Sequence, residues 1–572
     1  MGVKGLISLL EGNSQIYQDI SFRDCKLVVD GINLAYYLCN KSNLDQNHGG
    51  EYLAYQALIL DFFRNLANCG IKPYVVMDGR SGTSDIRLKT RMDRQEALLH
   101  NIPDALKGKR TEIYPHFAIS VFKQKLRDMK VRLVNCFREV DCELAALASE
   151  WRCPMLSGDS DFYIYDLPEG VLPIDHFQWY SLKTSRAGSY IPCKRYTTSS
   201  FCSTFKIDRQ LLPIFASMAG NDYVNLREIN WAQFRPAGRP RMGMRAAHLE
   251  GLLSWLGARI DKTTEDTLTA AMALIPDMSQ QAQMEVQTEV QESVLLYQIP
   301  SSSLRGFLSG GPAPSLPADM LICVPEWFRA SLTTGDLGAD ILAHRRKILR
   351  IQVEPSDLES SNLISQPIRQ VLYGLLLGQD GGGVEEVDRV RLNIVRVMMQ
   401  PVVQGAAQTL RMDSLSQADH AVRLQVCLET LGVEEETLKE VPAPLRLPVA
   451  VTCYWLRRAG PEPTLLKALL MVMVQGELNR QSGGKKGWQG DTNHISQPLD
   501  GVMAHSLNQW QACMKDASQL NVLLCMPLPE PHFAWLYQGR LVHQRQKQLQ
   551  EREPEEILQD ARFMSLYRSL LE

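Results

Sequence analysis

Lys26-Leu27-Val28-Val29-Asp30-Gly31 decides the fold of this chain, because it repeats in kind three more times. A short apolar, β-branched run ends in a carboxylate, and a helical spacing follows it. The run Tyr74-Val75-Val76-Met77-Asp78-Gly79 has the same shape. Arg132-Leu133-Val134-Asn135-Cys136-Phe137 is a third strand with Glu139 just beyond it, and Pro154-Met155-Leu156-Ser157 is a fourth, with Asp159 close behind. Between them, Ile32 to about Asn40, Glu51–Asn68, His116–Met129 and Asp141–Glu150 carry apolar residues at helical intervals, with Gly70 a stop signal for the second. Strands alternating with helices imply parallel βαβ units. Sites in such sheets form at the carboxyl ends of the strands. Four strands therefore deliver acids to a single edge.

The acids in question are Asp30, Asp78, Glu139, Asp141, Asp159, Asp161 and Asp222. Each has an ordinary explanation when taken alone. Asp30 and Asp78 precede glycine, a common turn. Asp141 could cap the helix that follows it. Gly158-Asp159-Ser160-Asp161 could be a turn, and Asp222 could end a helix. Together they would repel one another and raise one another's pKa values. Divalent cations relieve that cost, and magnesium suits carboxylates unaccompanied by His or Cys. Paired ions about 4 Å apart can activate water and stabilise the leaving oxygen of a phosphodiester. The residues point to metal-assisted phosphodiester hydrolysis.

Length and composition set the frame around this edge. At about 100–200 residues per domain, 572 residues suggest two to four domains. Hydrophobic residues at 45% and charged residues at 22% exclude wholesale disorder. A net charge of −3 excludes a histone-like polycation. The 13 cysteines never occur as Cys-x-x-Cys, which argues against a structural zinc site or a disulfide scaffold and for reduced thiols. The longest apolar runs, Leu447–Leu456 and Leu465–Val474, are too short to span a membrane and read as buried helix or strand. Met1-Gly2-Val3-Lys4-Gly5-Leu6 does not read as a secretion signal or a myristoylation site.

Charge is unevenly spread. From Arg80 to Arg132 there are 13 Lys or Arg against 6 Asp or Glu, a net of +7 on a chain whose total is −3. Arg87 and Arg94 lie two helical turns apart and would share a face, where they could grip a phosphate. Arg80, Lys89 and Arg91 are further candidates for backbone contact, although a solvated helix face explains most such cations. Beyond about Asn225 the pattern weakens. Ala246–Leu256, Gln370–Leu377, Glu386–Met399 and Ala421–Leu431 read as helices, as does the charged tail Arg540–Glu572. Ser301–Pro317, Gln379–Gly383 and Ser482–Gly490 read as loops. His344-Arg345-Arg346-Lys347 reads as a solvated helix face or a basic nuclear-import or DNA patch.

The ordered set Met1–Leu6, Val29-Asp30-Gly31, Met77-Asp78-Gly79, Glu139-Val140-Asp141, Gly158-Asp159-Ser160-Asp161 and Ala219-Gly220-Asn221-Asp222-Tyr223 resembles the flap endonucleases and their xeroderma-pigmentosum G-type relatives. The wording of Leu156–Ile164 and Ala219–Tyr223 is similar to the asteroid branch of that superfamily. The match covers residues 1–225. The resemblance implies an α/β, parallel-sheet PIN-like nuclease core over 1–225 with a basic helical cap over 80–132, followed by a mainly helical region over 226–572. It implies one magnesium ion at Asp30, Asp78, Glu139 and Asp141 and a second at Asp159, Asp161 and Asp222, with manganese as a substitute. It implies that Gly2 lies at the site with its amino group and that Arg87 and Arg94 serve catalysis. Tyr36, six residues after Asp30, stands where relatives stack a nucleobase, although core packing would also explain it.

The implied activity is a structure-specific DNA endonuclease acting on single-stranded, flap or overhang DNA in nuclear repair, with no membrane partner. Protein partners of the second half are not identified. A departure from the pattern follows Asp222. Val224–Ala237 holds Trp231 and Pro236 but none of the Gly-Ile-Gly run that grips duplex backbone in flap endonucleases, and Gly243 and Gly251 do not restore it. Cleavage polarity and preferred junction stay open. So do two other readings: a non-catalytic scaffold built on the nuclease fold, and a nuclease directed at RNA.

Overall fold

The computed structural model describes all residues except 1, 42–43, 80–84, 223, 225–230, 235–242, 260–261, 275–279, 322–323, 336, 338, 380, 484–498, 559 and 572. Eleven strands are present among the described residues: β1 (Gln18–Phe22), β2 (Lys26–Asp30), β3 (Lys72–Asp78), β4 (Arg132–Cys136), β5 (Met155–Ser157), β6 (Val171–Pro173), β7 (Lys183–Ser185), β8 (Gly188–Arg195), β9 (Arg346–Ile348), β10 (Val384–Val390) and β11 (Asn393–Met399). Backbone contacts divide the chain into two units that interleave along the sequence. One comprises residues 1–34, 61–91 and 130–315, and the other residues 35–60, 92–129 and 316–572.

The first unit is built on a five-stranded sheet in the order β4-β3-β2-β5-β6, parallel throughout. Leu27, Val28 and Val29 are wholly buried, as a strand covered on both faces requires. Burial of each such side chain is worth roughly 1.5–3 kcal/mol. The sequence reading placed four of these strands within two residues of their bounds. It missed β6, whose three residues are too short to show a period. A separate antiparallel ribbon joins β1, β8 and β7. The helix Val140–Trp151 covers one face of the sheet, burying Leu144, Ala145, Leu147 and Ala148 with Val28, Val76 and Val134.

Gly31 shows how closely the chain packs after β2. A Cβ there would lie 2.3 Å from Met77 Sδ and 2.9 Å from Val76 O, so only glycine lets the helix Gly31–Lys41 start against β3.

The second unit is mainly helical. Its long helices are Gln366–Leu377, His420–Leu431, Arg446–Ala459, Pro463–Gln481 and Gly501–Leu523. Trp455 and Trp510 are both fully buried, and Trp510 Nε1 donates to Thr452 Oγ1 at 3.0 Å. Segment 35–60 is tied into this unit by Tyr52, whose hydroxyl donates to Gln511 Oε1 at 2.7 Å and accepts from Phe117 N at 3.0 Å.

The helix expected over Glu386–Met399 is instead the hairpin β10–β11, with Val390 paired to Asn393. Arg391, at φ 55°, turns the chain between the strands. Glu386, Asp388 and Arg389 are all buried. β10 pairs with β9 as well, so the basic run at 344–347 forms neither a solvated helix nor a free patch. Arg346 bonds Glu385 at 2.6 Å and Lys347 bonds Asp516 at 3.0 Å. The tail is helical in three pieces, Gly539–Leu549, Pro554–Ile557 and Ala561–Leu571. Among the described residues, no helix is long and apolar enough to cross a membrane.

Candidate metal and nuclease site

Asp30 closes β2 and is half-buried at the carboxyl edge of the parallel sheet. Its Oδ1 accepts from Asn33 N at 3.1 Å, and its Oδ2 accepts from Ser157 Oγ at 2.9 Å. Burial pushes this carboxyl up to about 7; the two hydrogen bonds oppose that, and the charges of Asp159 and Asp78 add to it. Asp30 thus feels Asp78 and Asp159 across neighbouring strand ends. Asp78 closes β3 and is exposed.

Glu139 directly precedes the helix Val140–Trp151, and Asp141 lies in its first turn; both are half-buried. The Cys136 thiol at the end of β4 is held well above its usual pKa by burial, and Glu143, Asp78 and Glu139 raise it further. The negative field therefore extends from β3 to the start of this helix.

The turn after β5 is more tightly built. Ser157 Oγ accepts from Asp159 N at 3.0 Å while donating to Asp30, so one hydroxyl couples two strand ends. Asn33 Oδ1 accepts from Gly158 N at 2.8 Å. Asp159 Oδ1 accepts from Asp161 N at 3.2 Å. Asp161 is buried and accepts from the Tyr297 hydroxyl at 2.7 Å. That hydroxyl accepts from Asn221 Nδ2 at 3.0 Å, next to the half-buried Asp222. Gly2 presses on the same turn with φ +76°; a Cβ there would lie 2.4 Å from Asp159 Oδ1 and 2.5 Å from Ser160 Oγ. Lys4 N donates to Gly220 O at 3.0 Å, and Arg245 donates to Ala219 O, which fixes the first residues beside the segment that carries Asp222.

Ser157, Asn33, Asn221, Tyr297 and Arg245 were not singled out in the sequence. Asn33 alone left a trace, three residues after Asp30 in a helix-capping pattern. Tyr297 lies 136 residues from Asp161, and no local pattern announces that bond. Glu143, another acid near this edge, is otherwise engaged. It accepts from Ser302 Oγ at 2.6 Å, Ser303 Oγ at 2.9 Å and Leu304 N at 3.1 Å.

The donor chemistry at this edge is carboxylate oxygen, which fits a hard divalent cation. Among the described residues, no three Asp, Glu, His or Cys side chains group closely enough to hold one ion by themselves. Magnesium keeps several of its waters and is commonly held by one or two carboxylates, so the set present is compatible with it.

The cationic candidates lie on the helix Asp85–Leu106. Lys89 is exposed, and Arg91 and Arg94 are half-buried. Arg80 and the side chain of Arg87 lie outside the described residues. In the second unit, Tyr36 is half-buried and stacks on Tyr114, with ring centroids 3.9 Å apart and planes at 13°. One face of Tyr36 is therefore already occupied.

Comparison with known proteins places this arrangement in a family. The XPG N-terminal domain signature matches residues 1–100, and the Asteroid N-terminal domain signature matches residues 487–572. The single-strand DNA endonuclease ASTE1 of Danio rerio is 37% identical over 95% of this chain and 81% of its own length. The Homo sapiens protein of that name is 34% identical over 95% and 85%. Protein asteroid of Drosophila melanogaster is 28% identical over 48% of this chain and 37% of its own. Among solved structures, the catalytic core of Rad2 with DNA substrate aligns with a TM-score of 0.31 and 14% identity over 55% of this chain and 90% of that one. Human GEN1 with Holliday junction DNA aligns at 0.29 and 18% identity over 54% and 66%. The chain belongs to the asteroid family, within the flap endonuclease and xeroderma-pigmentosum G-type superfamily.

Proposed function

We propose that this protein is a magnesium-dependent endonuclease that cleaves single-stranded DNA, free or as a flap or overhang, in nuclear DNA repair. The observation that carries the reading is the crowding of Asp30 by Asp78 and Asp159 at the carboxyl edge of one parallel sheet. The name of the zebrafish and human relatives supports single-stranded DNA as substrate. So does the missing Gly-Ile-Gly run after Asp222, because it removes the usual duplex grip.

In this reading Asp30, Asp78, Glu139 and Asp141 would serve one ion, in part through its retained waters, and Asp159, Asp161 and Asp222 would serve a second. When bound, such ions supply a nucleophilic water and charge stabilisation at the leaving oxygen. Ser157 holds Asp30 and the Asp159 turn in fixed register, and Tyr297 orients Asp161. Gly2 brings the chain start against that turn without a side chain in the way. Arg87 and Arg94 are assigned to catalysis, and Arg80, Lys89 and Arg91 to contact with the nucleic-acid backbone. Tyr36 is assigned to stacking a base.

The test is cleavage of end-labelled single-stranded, 5′-flap, 3′-overhang and blunt duplex DNA, and of single-stranded RNA, with magnesium or manganese. The single-stranded DNA arms should be cut and the blunt duplex spared. A folded protein that cuts nothing with either metal would favour the scaffold reading. Preferential cutting of RNA would reassign the substrate.

A further inference from the structure

The acids gather at the carboxyl edge of the parallel sheet, and its amino edge has the opposite charge. Lys26 opens β2 and Arg132 opens β4, while Lys72 opens β3. Lys26 pairs with Lys72, and Tyr74 pairs with Arg132. Residues two apart on a strand share a face, so these four side chains rise from one face of the sheet. Trp151, at the end of its helix, packs on Tyr74 with centroids 4.4 Å apart. Lys26 Nζ lies 4.6 Å from the Trp151 ring centre and 5.9 Å from that of Tyr74. The Arg132 guanidinium lies 5.4 Å from the Tyr74 centre. Lys130 and Arg152 are exposed at the same end of the sheet.

Five cations thus border four adjacent strands, a row of about 14 Å at roughly 4.8 Å per strand. Among the described residues, none of the five forms an ion pair. Three acids at this end are engaged, Asp24 by Arg23, Glu150 by Arg305 and Glu169 by Arg195, and the exposed Asp128 two residues before Lys130 pairs with none of the five. Mutual repulsion makes such a row costly unless a polyanion covers it. The Tyr74 ring lies between Lys26 and Arg132, and Arg132 also donates to Leu308 O, so the two cations are held in place and a ligand need impose less order. A linear cationic row interleaved with rings is the composition that tracks a nucleic-acid strand. The row stands one strand length, about 13 Å at roughly 3.3 Å per residue, from Asp30.

We propose that this amino edge is a second nucleic-acid contact, binding the phosphate backbone of a single strand without regard to sequence. The choice of nucleic acid as the polyanion rests on the nuclease reading above; the site itself does not use the carboxyl edge. The experiment is fluorescence anisotropy of a labelled oligothymidylate with the full-length protein in EDTA, titrated at several salt concentrations. Each lost phosphate contact lowers the salt slope by about 0.7 for a single strand. The Lys26→Gln/Lys72→Gln/Lys130→Gln variant should lower it by about 2 and weaken binding about tenfold or more at low salt.

The control Lys183→Gln/Arg186→Gln/Lys206→Gln makes the same charge change at exposed residues elsewhere in this unit and should shift affinity less than about twofold. Equal losses in both variants would overturn the proposal. So would retained DNA binding with lost binding to phosphatidylserine vesicles, which would assign the edge to a membrane surface. Because no metal ion is present in the titration, a protein that never cleaves but shows the slope change keeps this inference and loses the preceding one.

Discussion

Replacing Arg369 by methionine removes the centre of the buried ion network in the helical unit. Arg369 is 1% exposed. Its Nε and one terminal nitrogen donate to Glu386 at 2.6 and 2.8 Å. The other terminal nitrogen donates to Asp516 at 3.0 Å, Ser365 Oγ at 2.8 Å and Asn362 O at 2.8 Å. Asp516 would keep Lys347, but Glu386 would keep only the Tyr373 hydroxyl at 2.5 Å. The variant therefore leaves one carboxylate buried without a cation.

Breaking a buried pair in this way costs about 3–5 kcal/mol. At about 2 °C per kcal/mol for a large domain, the unit should melt about 6–10 °C lower. Trp455 and Trp510, both buried in this unit, report the transition by fluorescence in a thermal melt of the full chain. The double variant Arg369→Met/Glu386→Gln removes the stranded charge and should recover at least about 2 kcal/mol of the loss. A cost below about 1 kcal/mol for the single variant, or simple additivity in the double, would refute the reasoning.

Further predictions concern the site and pH. Gly2→Ala places a methyl group 2.4 Å from Asp159 Oδ1 at a left-handed backbone position. It should lower kcat about tenfold or more while costing about 1 kcal/mol or more of stability through strain at the positive φ, and an unchanged kcat would remove Gly2 from the account. His543 is held at about 3, below its usual 6.5, chiefly by burial and further by His48, whose ring centroid lies 4.6 Å away. Between those two values the unfolded chain binds a proton that the folded chain does not, so stability falls as pH drops below about 6.5. Going from pH 6.5 to 5 should cost about 2 kcal/mol, and His543→Leu should flatten that part of the profile; a slope unchanged by the substitution would show that another group sets it.

The parallel sheet was readable because β2, β3, β4 and β5 each combine a dense apolar run with a terminal acid, a signal carried by adjacent residues. The hairpin β10–β11 was not readable, because its charges are buried against partners far along the chain. Glu386 meets Arg369 and Tyr373, and Arg389 meets Glu354 at 2.7 Å. A periodicity argument treats such charges as solvent-facing. The same limit hid Tyr297 behind Asp161 and spent Arg346 and Lys347 on ion pairs where the sequence offered a basic patch. Local spacing announced the acids at the edge; the groups that orient them belong to tertiary contacts.

The measurement closest to the central claim compares single-turnover cleavage of end-labelled single-stranded DNA by the wild type, Asp30→Asn and Asp159→Asn in magnesium, with DNA affinity measured on the same samples in EDTA. The account predicts that both variants lose cleavage by about a hundredfold or more while binding DNA within a few-fold of the wild type. Cleavage at wild-type rates by either variant would contradict a metal-dependent site built on these carboxylates.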